Sequence, residues 1–141
     1  MAISCQTLLI VGTLMAFMCR SVQAWDSPNV VRKFQDIPET YVYVQQALWY
    51  AMKEYNKASN DEYNFRVMKI LKSQEQATDS LEYYIEVKIA RTLCKKTSGE
   101  NENCLFQNDP KMQKMFFCTF IVASKPWEFE VKMLKKQCKD A

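Results

Sequence analysis

No histidine occurs anywhere in the 141-residue chain. That absence removes Ser-His-Asp and Cys-His nucleophilic machinery, histidine metal ligation and the usual general base near neutral pH. Glycine is nearly as scarce, with only Gly12 and Gly99 present, so there is no glycine-rich loop to cradle a phosphate and no dinucleotide fingerprint. No Asn-x-Ser/Thr sequon is present either, which excludes N-glycosylation. Aspartate and glutamate are scattered through strand-like alternations and show no pairing suited to acid and base work. These absences argue against an enzyme, and neither a cofactor nor a metal is expected. Action by binding is the remaining expectation.

Charge is close to balanced, 19 Lys and Arg against 16 Asp and Glu. Such a balance gives no support for a nucleic-acid partner. The lysines near the end, Lys132, Lys135, Lys136 and Lys139, are interleaved with Glu128, Glu130 and Asp140 and read as a solvated strand face.

What is present begins with an N-terminal leader. Residues 1–24 carry no acidic side chain and hold an apolar run from Leu8 to Met18, followed by Arg20 and the small-residue pattern Val22-Gln23-Ala24. This reads as a signal peptide cleaved after Ala24, too short in its apolar part to span a bilayer. A secreted, extracellular domain over residues 25–141, with no membrane span, is the resulting expectation. Cys5 and Cys19 leave with the leader, while Cys94, Cys104, Cys118 and Cys138 stay. An even count in an oxidising compartment predicts two disulfides. Of three connectivities, the simplest, which has no crossing, pairs Cys94 with Cys104 and Cys118 with Cys138, contributing about 3 kcal/mol each in the chain-entropy model.

Hydrophobic periodicity then orders the mature chain. Val44, Ala47, Leu48, Ala51, Met52 and Tyr55 recur at helical spacing and predict one amphipathic helix over residues 40–58, with Pro38 and Glu39 in its first turn. Residues 63–72 read as a strand whose apolar phase slips between Val67 and Met68, the mark of a bulge. From Leu81, the residues Tyr83, Ile85, Val87 and Ile89 alternate with polar neighbours as a half-buried strand. The polar residues 73–80 between them read as a hairpin tip. Two further strands are predicted, residues 115–122 and residues 127–134. Trp127, Phe129, Val131 and Met133 lie on one side of the last, and Lys125-Pro126-Trp127 forms a second tip. Residues 30–34 are a candidate fifth strand. The order predicts an α+β domain, one long helix on a curved antiparallel sheet of about five strands.

Several of these segments resemble the type 2 cystatins: Glu54-Tyr55-Asn56-Lys57-Ala58-Ser59-Asn60-Asp61, Ala90-Arg91-Thr92-Leu93-Cys94, the spacing of the four cysteines, and Pro126-Trp127. The resemblance implies the cystatin fold with sequential disulfides. It also implies cysteine-protease partners, blocked by a wedge of an N-terminal segment, a first hairpin tip and a second tip with Pro-Trp. Here the first tip is Gln76-Ala77-Thr78-Asp79-Ser80. Thr78 stands where the family has valine, and Ser80 where it has a glycine free to take positive φ. Arg32 stands where the N-terminal glycine would fall. Only Pro126-Trp127 keeps the pattern, so inhibition of papain-like cathepsins is expected to be weak. Ser59-Asn60-Asp61 resembles the turn through which some members inhibit legumain, although asparagine also suits a left-handed helix terminus. The altered wedge resembles the testis and epididymis branch, which implies a role in spermatogenesis or sperm maturation. The competing reading is a non-inhibitory secreted protein acting by self-association or partner binding.

Overall fold

The structure, a computed structural model, describes residues 33–98 and 103–141. The predicted signal peptide and Arg32 lie outside them, as do residues 99–102 between Cys94 and Cys104. Five strands form one antiparallel sheet in the order β1-β2-β3-β4-β5: β1 (Gln35–Asp36), β2 (Tyr63–Ala77), β3 (Leu81–Lys95), β4 (Met115–Lys125) and β5 (Glu130–Asp140). Among the described residues a single α-helix, α1 (Val42–Ala58), is present, between β1 and β2 in the chain. No helix among the described residues is long and apolar enough to cross a membrane.

The helix buries the face that its spacing predicts. Val44, Ala47, Leu48, Ala51 and Met52 are buried and Tyr55 is half-buried. They pack against Phe65 of β2, Tyr83, Ile85, Val87 and Ile89 of β3, and Cys118, Phe120 and Val122 of β4. Full burial of one such aliphatic side chain contributes about 1.5–3 kcal/mol, so this single layer supplies the driving force of the fold. The helix starts later than its expected first turn. Pro38 and Glu39 belong to a turn ahead of it, closed by the Tyr41 N–H on the Pro38 carbonyl at 3.1 Å, and Gln45 Nε2 donates to the Glu39 carbonyl at 2.6 Å. At the other end Asn56 is buried and bonds the backbone of Phe65 twice. It donates from Nδ2 to the carbonyl at 3.0 Å and accepts the N–H on Oδ1 at 2.8 Å. A side-chain amide thus acts as a short strand and fixes the helix end to β2.

The bulge expected near Val67 is present as a register shift between Val67 and Lys69. The strands, however, run longer than the periodicity indicates. Residues 73–77, read as part of a hairpin tip, are strand, and Ala77 pairs with Leu81. The ladder holds these residues because Gln74, Glu75 and Gln76 meet partners on β3, and Gln74 and Glu75 also meet Asp36 and Gln35 of β1. Among the described residues the fifth strand is Gln35–Asp36; of the expected residues 30–34, Lys33 and Phe34 are not strand and residues 30–32 lie outside the described residues. At the C-terminal end, Trp127 sits in a 3-10 turn and not in a strand, while Phe129 and Val131 are exposed. Only Met133 of that predicted face is partly buried against the core. β5 is an edge strand and its alternation is not imposed by a covering layer.

One core group is poorly matched. The Tyr83 ring is buried next to Glu75, but its hydroxyl closes no hydrogen bond of ordinary geometry. Burial first, then the Glu75 carboxylate, pushes its pKa above the ordinary value. An unsatisfied buried hydroxyl costs about 1–3 kcal/mol. Tyr83→Phe is therefore expected to unfold at the same or higher denaturant concentration than the parent. A loss above about 1 kcal/mol would show that the hydroxyl is bonded.

Candidate functional site

The register brings the candidate wedge segments to one end of the sheet. Ala77 pairs with Leu81 and Leu81 with Ser124, and the neighbouring pair Lys125 and Glu130 closes the last hairpin. The β2–β3 turn and the β4–β5 turn therefore project side by side. β1 runs antiparallel to β2, with Gln35 opposite Glu75, so Lys33 and Phe34 lie toward that same end.

The first tip is narrow and internally bonded. The Thr78 N–H donates to the Ser80 carbonyl at 2.8 Å, and the Ser80 N–H reaches Thr78 Oγ1 at 3.3 Å. Gln76 hydrogen-bonds across the ladder to Glu82. Ser80 is buried, and Ala77 and Asp79 are exposed. The strain expected of a serine in place of glycine is absent. Among the described residues only Asn103 and Phe129 are non-glycine residues with positive φ, so the reversal is made without the conformation that would favour glycine at Ser80.

Positive φ falls instead on the second tip. Pro126, Trp127 and Glu128 form one 3-10 turn, and Phe129 follows it in the left-handed region at φ 52°, ψ 34°, its N–H on the Pro126 carbonyl at 3.3 Å. Trp127 is 61% exposed and Phe129 97%. A left-handed residue with a Cβ costs on the order of 1–2 kcal/mol. Proline presets the backbone at the turn's start, and the four-residue reversal between Lys125 and Glu130 then places its last residue in the left-handed region. Sequence reasoning missed Phe129. Its one legible signal was a bulky residue two places after Pro126-Trp127 in a hairpin tip.

Asn60 lies at the opposite end of β2 from both tips, and a strand of this length spans roughly 45 Å. Its loop is held on both flanks. The Asp61 N–H donates to Ser59 Oγ at 3.1 Å, and the Tyr63 N–H to Asp61 Oδ1 at 2.9 Å. Lys96 bonds the Ser59 carbonyl through its ammonium, and its N–H donates to the Glu62 carbonyl at 3.0 Å. Asp61 forms an ion pair with Arg91, whose Nη1 also holds the Met112 carbonyl at 2.8 Å. Asn60 itself is exposed and is not left-handed, so the helix-terminus explanation for an asparagine here does not apply.

The Asp61–Arg91 side chains are only 13% and 17% exposed, so this pair is less screened than a surface bridge. Burial alone would raise the Asp61 pKa. The Arg91 and Tyr63 hydrogen bonds, with the Arg91 and Lys114 charges, outweigh it and hold the carboxyl below its ordinary value. A depressed carboxyl adds stability that is present above its unfolded pKa and is lost as pH falls through its folded pKa. Asp61→Asn is expected to cost about 2 kcal/mol at neutral pH. That gap should narrow as pH falls below the ordinary carboxylate range and the parent carboxyl takes up its proton too. Denaturation curves of both proteins across this range check it, and a pH-independent gap would assign the loss to packing.

Both predicted disulfides are present, Cys94–Cys104 and Cys118–Cys138. One helix against a five-stranded antiparallel sheet, with two hairpin tips turned to one end and this pair of bridges, defines the cystatin class of fold. Residues 33–127 match the cystatin domain, and the chain belongs to the cystatin family, whose members are generally cysteine-protease inhibitors and not enzymes. It is 73% identical to mouse cystatin-13 over 96% of each chain. It is 38% identical to human cystatin-8, over 96% of this chain and 95% of that one. Among solved structures, dimeric human cystatin F matches with a TM-score of 0.72 at 26% identity, covering 82% of this chain and 94% of that one.

Proposed function

We propose that the chain is a secreted cysteine-protease inhibitor with two faces: a tip end weakened toward papain-like cathepsins, and a separate legumain-binding site at Asn60. The observation that carries the first face is the register that sets Gln76, Ala77, Thr78, Asp79 and Ser80 beside Pro126 and Trp127. A rigid pair of hairpins binds with little ordering loss, and an exposed indole is an effective anchor. Thr78 and Asp79 weaken the face, because a hydroxyl and a charge must lose water without an assured partner. The second face rests on an exposed asparagine in a loop held by Ser59, Asp61, Arg91 and Lys96. Its distance from the tips would let one molecule engage two proteases.

Titration of active cathepsin L and of legumain with the refolded domain of residues 25–141 tests both faces. Micromolar inhibition of cathepsin L, with tighter inhibition of legumain, is the expected result. No inhibition of either at micromolar concentration ends the reading. Secretion would follow from removal of residues 1–24, seen as a mature N-terminus at Trp25. A specialised role in spermatogenesis or sperm maturation is supported by resemblance alone.

Self-association is a second reading. Among the described residues the part of β2 before Ser73 has no strand on its outer side, and Met68 and Leu71 are exposed along it. A strand edge of this kind is a template for pairing with another chain. A strictly monomeric protein in light scattering would remove this reading and leave the first intact.

A further inference from the structure

From the second tip we infer that Phe129 is a specificity-determining contact, the residue by which this inhibitor selects proteases having an apolar depression beside the cleft. This inference rests on the tip end's being a protease-binding face. Two independent observations at Phe129 converge. Its backbone occupies the left-handed region, which is an outlier for a bulky side chain. Its ring is 97% exposed. Strain in a fold is ordinarily offset by burial or bonding of the residue concerned, and here the ring has neither to offer. Asn103, the other such residue, is of a type that tolerates this conformation. A residue that is strained and unburied in the free protein contributes where its surface is covered by something else.

The surroundings say what that covering must be. Phe129 and Trp127 belong to one turn, joined by the Phe129 N–H on the Pro126 carbonyl. The two exposed rings thus project from one short hairpin, and the ladder pair Lys125 with Glu130 anchors its base. The nearby charges are already engaged in ion pairs, Lys125 with Glu128 at 4.0 Å and Lys132 with Glu130 at 3.9 Å. The tip therefore presents aromatic surface with no unpaired charge from these four residues, and an apolar depression complements it where a charged rim does not. Trp127 supplies the general anchor. Phe129 discriminates, because a protease lacking the depression must leave the ring exposed or clash with it.

Phe129→Gly separates this role from a structural one, since glycine removes the ring and adopts positive φ freely. The variant is expected to melt at the same temperature as the parent or a few degrees higher. It should inhibit cathepsin L, or whichever of a panel of papain-like endopeptidases the parent inhibits best, at least tenfold more weakly. It should also flatten the differences among the panel. Phe129→Leu should retain most of the parent's preference. If the parent inhibits and Phe129→Gly inhibits equally well across the panel, the inference is overturned while the tip-end reading stands. If the parent inhibits no member at micromolar concentration, the tip-end reading and this inference fall together.

Discussion

Asn60→Ala is expected to lose at least a hundredfold of the inhibition of legumain while unfolding at the temperature of the parent. A protease that reads asparagine does so by hydrogen bonds to the carboxamide, and a site built to bond a polar group discriminates strongly against its absence. The rest of the loop does not depend on this side chain. Ser59, Asp61, Arg91 and Lys96 make the contacts that hold it. Asn60 is exposed and its backbone is not left-handed, so alanine should alter stability by no more than about 0.5 kcal/mol. Enzyme titration beside thermal unfolding checks both halves. Undiminished legumain inhibition by the variant would move that activity elsewhere, and the tip end would be the next place to look. A large loss of stability would instead mean that Asn60 is a structural residue.

The Cys118→Ala/Cys138→Ala variant should lose about 3 kcal/mol of stability, and more of its order at β5 than anywhere else. The bridge spans a sequence separation of 20 and closes the hairpin that carries Trp127 and Phe129. β5 has little else to hold it. It is an edge strand, and only Met133 and Cys138 along it are partly buried. Removing the bridge leaves a ladder to β4 and a row of solvated lysines. Chemical denaturation measures the loss, and amide exchange should show β5 opening ahead of β3. A loss under about 1 kcal/mol would mean that the ladder alone secures the strand. Any fall in protease inhibition by this variant would report the second tip's dependence on a fixed hairpin.

Residues that bury a face of their own element were legible from the chain. Val44, Ala47, Leu48, Ala51 and Met52 announce the helix, and Tyr83, Ile85, Val87 and Ile89 announce β3, because each set must turn one side to the same core. The slip at Val67 was visible for the same reason, since a bulge moves apolar residues from one face to the other. Residues 73–77 are strand where a tip is expected, Trp127 to Phe129 are turn where a strand is expected, and Val131 is exposed on a face expected to be buried. Strand ends and edge strands bury little, so their polarity follows solvent and not pairing.

The sequence by itself determined the helix, the two central strands, the bulge and the four cysteines of the bridges, along with the exclusions that follow from missing histidine and scarce glycine. Each of these is a local pattern or a count. Tertiary structure alone decided that the two tips lie side by side, that Asp61 meets Arg91 from 30 positions away, that Asn60 is held without a left-handed backbone, and that positive φ falls on Phe129 and not on Ser80. These depend on which strand pairs with which and in what register. Register is set by the whole sheet closing around one helix, and no single segment carries it.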